Sequence, residues 1–250
     1  MKRVLQLLMF VIFLVTISYG QQNNLGYVKV NGQVTPANRE GELQCAPGSL
    51  FGQPPVLPDG GFFCDANDPA QYTEVMEDYP ALSGNIAKVT FWVSFYNRNY
   101  GDACTPGTPV ADSYQVNFYG INGETPSVPG ALMQSFTLSP SFYQYVGSFY
   151  YPMYRMEFNL PSTVAGSAGW VGLGRLTATD NCILFWWDMN SPGYQYSGIQ
   201  RHSGAFENTS ANFAFCLEGS NNVPLANWPM ILAATLIAIA VGARFLRFRS

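Results

Sequence analysis

Lys88-Val89-Thr90-Phe91-Trp92-Val93-Ser94-Phe95-Tyr96 alternates without a break. In an extended chain successive side chains face opposite ways. Val89, Phe91, Val93 and Phe95 therefore line one side, and Lys88, Thr90, Trp92, Ser94 and Tyr96 line the other. A helix would scatter the four apolar residues around its circumference, so the segment reads as a strand with one core face.

The same rhythm recurs on both sides of it. Tyr114, Val116 and Phe118 alternate up to Gly120. Residues 132–138, 143–150 and 153–160 read as further strands, and in the last of these Tyr154, Met156, Phe158 and Leu160 oppose Arg155, Glu157 and Asn159. Residues 168–173, 182–187 and 212–217 complete the set. Turn-rich connections such as 97–112 and 123–130 separate them. Between residues 80 and 220 no long stretch has helical period. Short alternating strands at this spacing predict an all-β domain, an antiparallel β-sandwich of jelly-roll-like form. Residues 21–49 are polar and aperiodic, and 50–61 carry Pro54, Pro55, Pro58, Gly60 and Gly61. The expected organisation is a leader over 1–20, an extension with loops over 21–79, the sandwich over 80–220 and a tail over 221–250.

The two ends concern trafficking. Lys2 and Arg3 precede an almost wholly apolar run from Val4 to Ile17, and Ser18-Tyr19-Gly20 places small residues before a cut between Gly20 and Gln21. That is the pattern of a secretory signal peptide, whose apolar stretch is expected to be helical. At the other end, residues 223–243 supply about the 20 residues that a transmembrane helix needs, with Pro224 and Pro229 confined to its start. Arg244, Arg247 and Arg249 follow at once and would stay cytoplasmic, placing residues 21–222 across the membrane.

This tail resembles the C-terminal sorting domains of the PEP-CTERM and IPTL-CTERM type found in Gram-negative bacteria. Val223-Pro224-Leu225 sits where the short Pro-containing signature lies, Trp228 where an aromatic residue precedes the span, and Arg244 to Arg249 where the basic end lies. The acidic Val-Pro-Glu-Pro form is absent, and Val-Pro-Leu is closer to the IPTL-like variants. The resemblance implies an exosortase-type processing enzyme as partner, residence in the inner membrane during processing, and then the cell surface or the extracellular space. The body, from Val89-Thr90-Phe91-Trp92 through Phe185-Trp186-Trp187 to Ala214-Phe215-Cys216-Leu217-Glu218-Gly219, is similar to the β-sandwich passenger domains joined to such tails.

Charge and cysteine content narrow the function classes. The chain has 12 Lys+Arg and 16 Asp+Glu. Five of the basic residues lie in the two end segments, which leaves seven against 16 acids, a net −9 for the body. Nucleic acid, which demands basic patches, is excluded as a partner. Cys45, Cys64, Cys104, Cys182 and Cys216 all lie in the exported part, where disulfides are the default. Cys45 and Cys64 are nearest in sequence and form one candidate pair among several. With His202 the only histidine and no Cys-x-x-Cys, a zinc site is not expected.

No catalytic motif surrounds His202, although Asp188, Ser203 and Glu207 are near in sequence; a Gly-x-Ser-x-Gly elbow is missing. Glu77, Asp78, Glu157 and Asp188 could supply a glycosidase-like carboxylate pair. Asp65-Ala66-Asn67-Asp68, with Glu74, Glu77 and Asp78 nearby, is the segment suited to a structural Ca²⁺; no other cofactor is expected. Trp186, Trp187, Tyr194 and Tyr196 cluster in sequence and could stack on sugar rings, with Trp186 and Trp187 facing opposite ways if both lie in a strand. The expected role is structural or adhesive, in an envelope, biofilm or matrix, with polysaccharide binding or a glycan-active enzyme as the alternative.

Overall fold

A computed structural model of the chain describes residues 27–29, 43–55, 60–66, 71–97, 102–104, 111–148, 151–177, 181–189 and 192–220. The leader with Gly20 and Gln21, and the tail with Val223, Pro224, Leu225, Trp228, Arg244, Arg247 and Arg249, lie outside them. Among the described residues no helix is long and apolar enough to cross a membrane.

The strands are β1 (Tyr27–Lys29), β2 (Phe51–Gln53), β3 (Gly60–Phe63), β4 (Tyr72–Tyr79), β5 (Ile86–Asn97), β6 (Asp102–Ala103), β7 (Ser113–Ile121), β8 (Pro129–Leu138), β9 (Phe142–Ser148), β10 (Pro152–Val164), β11 (Gly169–Thr177), β12 (Ile183–Trp187), β13 (Ile199–His202), β14 (Ala205–Asn208) and β15 (Phe215–Gly219). They form two antiparallel sheets. The first runs β1-β3-β12-β5-β10-β9, with β15 and β6 also on β5 and β2 on β15. The second runs β14-β13-β4-β11-β7-β8.

The nonamer that decides the fold lies in β5, the centre of the first sheet. Along one edge β5 pairs with β10 from Ile86 to Val93. Along the other it pairs first with β15 and then with β12. Val89, Phe91, Val93 and Phe95 are all fully buried and meet Tyr114, Val116 and Phe118 of β7 and Val171 and Leu173 of β11 in one core between the sheets. This is the arrangement of a β-sandwich. Burying each such side chain is worth about 1.5–3 kcal/mol.

The opposite face of β5 is also covered. Trp92 is fully buried with Phe63, Val146, Tyr151, Phe185 and Trp187 in a second apolar cluster. The Trp187 indole N–H donates to Ser94 Oγ, whose own hydroxyl donates to the Pro152 carbonyl. A polar outer face, as Thr90 and Ser94 suggest, is thus replaced by a second apolar cluster that buries the indoles of Trp92 and Trp187.

The sandwich begins before residue 80. β4 lies within the second sheet between β13 and β11, and β3 lies between β1 and β12 in the first. The segment read as extension and loop therefore supplies internal strands. Gly61 of β3 is positional: a Cβ there would sit 2.4 Å from the Trp186 carbonyl oxygen. β13 and β14 form a hairpin whose turn residues, Ser203 and Gly204, have φ of 50° and 86°. Two such residues match the primed turns that suit hairpin twist.

Two disulfides close the fold, Cys45–Cys216 and Cys104–Cys182. The pairing of Cys45 with Cys64 is corrected. Cys64 is a buried free thiol at the end of β3, inside the main core, and burial pushes its pKa well up.

Candidate functional site

The second sheet carries its polar chemistry on its outer face. β4 sends Val75, Glu77 and Tyr79 toward the first sheet and Glu74, Met76 and Asp78 the other way. The next strand, β11, presents Trp170, Gly172 and Gly174 on that face, and β7 presents Gln115, Asn117 and Tyr119.

Glu74 crosses over β11 to reach β7. It can do so because Gly172 has no side chain: a Cβ there would lie 2.2 Å from Glu74 Oε1. The Tyr119 hydroxyl lies 3.0 and 2.9 Å from the two carboxylate oxygens, and Asn117 Nδ2 donates to Oε1 at 2.8 Å. Arg201 of β13 places Nη1 3.3 Å from Oε2 and donates from Nη2 to the Tyr119 oxygen at 3.2 Å. Burial raises the Glu74 pKa, against the opposing pull of Asn117, Arg201 and Tyr119. The guanidinium lies beside an edge-to-face ring pair, 4.9 Å from the Phe206 ring centre and 5.9 Å from that of Tyr119.

The cluster is closed below and open above. The Glu74 side chain is 5 % exposed, the Arg201 side chain is 31 % exposed and Phe206 is 37 % exposed. Asn117 Oδ1 and Arg201 Nε have no hydrogen-bond partner among the described residues. Both atoms are themselves buried, and what the cluster presents to solvent is the Arg201 side chain and the Phe206 ring. A guanidinium beside an aromatic edge can take up a polyhydroxylated ligand by hydrogen bonding and ring contact.

A second carboxylate, Asp78, lies on the same face four residues along β4. Burial pushes its pKa up to about 6, although it accepts the backbone N–H groups of Tyr196 and Gln195. Tyr196 stacks on the buried Trp170 at 6.2 Å and 16°, so this end of the face is roofed. Four residues along a strand amount to about 13 Å at roughly 3.3 Å each. That exceeds the separation of about 5–9.5 Å used by paired glycosidase carboxylates.

Trp186 faces the main core, with its indole N–H donating to the Ala214 carbonyl at 2.7 Å, and Trp187 faces the second cluster. They do point opposite ways, but both are fully buried, so stacking of sugars on either ring is corrected: each ring is already covered by protein. Tyr194 is 45 % exposed and rests edge-on against Phe51, while Tyr196 lies on the second sheet. The four aromatics therefore do not make one surface.

Glu77 points inward, where Gln53 Nε2 and the Phe213 N–H bond it; burial raises its pKa well above the ordinary range. Glu157 is not on a solvated face but sits in a charge cluster with Lys88 and Arg155. Asp188 is buried beside Phe213. No two of these expected carboxylates face each other across a cleft.

His202 stacks on Tyr72 at 4.4 Å and its Nδ1 lies 3.0 Å from Glu207, while the Ser203 hydroxyl donates to Gln71. These contacts fix a hairpin end and leave no Ser–His pair. In the segment suited to Ca²⁺, Asp65 is taken by Arg175 and the Leu184 N–H. Asn67 and Asp68 lie outside the described residues. Among the described residues no three His, Cys, Asp or Glu side chains gather as metal ligands.

The Glu74 cluster was hidden in the sequence because its members come from three strands far apart along the chain. Gly172 within Gly169-Trp170-Val171-Gly172-Leu173 was the available signal, since a glycine inside a strand marks a close approach. Comparison with known protein families, with characterised proteins and with solved structures gave no match.

Proposed function

We propose that the chain is an exported cell-surface or extracellular-matrix protein that acts by contact and not by catalysis, built on a jelly-roll-like sandwich. The observation that carries this is the pair of disulfides, which join segments 171 and 78 residues apart in sequence. Such bridges belong to oxidising compartments. On this reading the leader is a signal helix cut between Gly20 and Gln21. The tail is a transmembrane helix held in the inner membrane until an exosortase-type enzyme processes the Val223-Pro224-Leu225 signal, with Arg244, Arg247 and Arg249 as its cytoplasmic stop. The intact mass of the protein recovered from its producer tests it. A C-terminus near residues 223–228 is expected; a mass running to Ser250 sinks the processing.

The Glu74 cluster favours a second reading, in which the adhesive partner is a polysaccharide. The Arg201 guanidinium and the Phe206 ring, 31 and 37 % exposed above buried Glu74, Asn117 and Tyr119, suit the hydroxyls and the ring face of a sugar. A structural Ca²⁺ near Asp65 is not required by it. Arg201→Gln and Phe206→Ala are each expected to weaken retention on the producer's own polysaccharide several-fold, and retention equal to the parent in both variants removes this reading.

A further inference from the structure

The two sides of the sandwich end differently. β8 and β9 close the two sheets on one side, and among the described residues neither carries a further strand. Residues 125–154, which contain both, hold no Asp, Glu, Lys, Arg or His, the longest such run in the chain. β8 is ten residues long and β9 seven. By contrast β1, β2, β6 and β14 are two to four residues long. Exposed sheet edges are ordinarily blunted by shortness or by charge, since open backbone N–H and C=O groups recruit other strands. Among the described residues one side has that protection and the other lacks it.

Exposed apolar side chains gather on the unprotected side. Leu132, Met133, Phe142 and Tyr145, between 41 and 54 % exposed, lie on β8 and β9, and Ile121 ends the neighbouring β7. Register shifts disturb β8 near residues 129–132, whereas Gln134 to Leu138 stays in regular register on β7. That regular segment, Gln134-Ser135-Phe136-Thr137-Leu138, is self-complementary about Phe136. An antiparallel copy sets Phe136 against Phe136 and Ser135 against Thr137, both favourable cross-strand pairs. Phe136 already packs inward on Phe118 at 6.3 Å, so the pairing would continue the core from one copy into the next. That self-pairing selects a second copy as the occupant. The net −9 of each body opposes association, and the charge-free run is where the repulsion at contact is least.

We propose that β8 is a self-association edge, at which β8 of one copy pairs antiparallel with β8 of a second copy across a two-fold axis. This stands independently of export and of glycan binding. Sedimentation velocity of the full chain in mild detergent over a range of concentrations tests it. The parent forms dimers as concentration rises. The double variant Ser135→Lys, Thr137→Lys faces like charges across the axis and weakens dimerisation by about tenfold or more. Ala205→Lys on β14 leaves dimerisation unchanged. Hydrogen exchange on the parent gives a measure independent of the variants: the amides of residues 134–138 gain protection as concentration rises. A chain monomeric throughout overturns the proposal. So does association that the β8 lysines do not weaken, association lost equally with Ala205→Lys, or β8 protection that does not change with concentration.

Discussion

Two ionic centres share strand β11 and behave as opposites. Arg175 points inward and is fully buried. It bonds Asp112 through Nε and Nη2, Asp65 through Nη1 and the Cys182 carbonyl at 2.6 Å, and lies 5.2 Å from the Phe95 ring centre. Three residues earlier, on the other face, Gly172 makes room for Glu74, whose cluster opens to solvent through Arg201 and Phe206. The closed centre fixes how β3, β7, β11 and β12 meet. The half-open one has bonding capacity left for something else. What distinguishes them is enclosure and completeness, not residue type.

The largest expected effect breaks the closed centre. Arg175→Met strands Asp65 and Asp112 in the core and should cost about 3–5 kcal/mol in denaturant unfolding. A loss below about 1 kcal/mol would erase the contrast.

Asp78 lies between the two extremes, sealed like Arg175 but with neutral donors only. Its pKa of about 6 in the fold exceeds the ordinary carboxylate value, so the folded chain holds a proton that the unfolded chain releases earlier. The stability from that proton is complete below about pH 4 and is lost as pH rises through about 6. Asp78→Asn should match the parent at pH 4 and exceed it at pH 8 by up to about 3 kcal/mol, read from thermal or denaturant unfolding at both pH values. Equal stability at pH 8 would mean that the site is wetter than its burial implies.

The smallest effect sharpens the open centre. Gly172→Ala drives a methyl into the Glu74 carboxylate and should cost about 1–2 kcal/mol. In a Glu74→Ala background the same change should cost much less. An undiminished cost there would place the strain in the backbone and not in the carboxylate.

Strands whose apolar residues recur at every second position were legible: β5, β7 and β10 keep that set on the core face, even where, as in β5, the other face is covered too. β4 was not, because three of its eight residues are acids, Glu74, Glu77 and Asp78. Acidity suggested a loop or a cation site; partners from other strands, invisible in a single chain, neutralise or solvate those acids instead. β3 was masked by Gly60 and Gly61, which signal a turn locally, although Gly61 here allows close approach to β12. The tryptophans gave the opposite error. Trp92 shares its strand face with Thr90 and Ser94, and Trp187 precedes Asp188, yet both are fully buried in the second apolar cluster.

The bridge between Cys45 and Cys216 has a mechanical consequence. It joins a residue ahead of β2 to one in the last strand. Tension that enters the chain after residue 216 and leaves before residue 45 passes through one covalent link and bypasses every ladder between. The 171-residue separation corresponds to roughly 580 Å of extended chain at about 3.4 Å per residue, none of which can be drawn out while the bridge is intact. A body pulled from both ends would thus transmit load at nearly constant length, and reduction of a single bond would turn a rigid link into an extensible one.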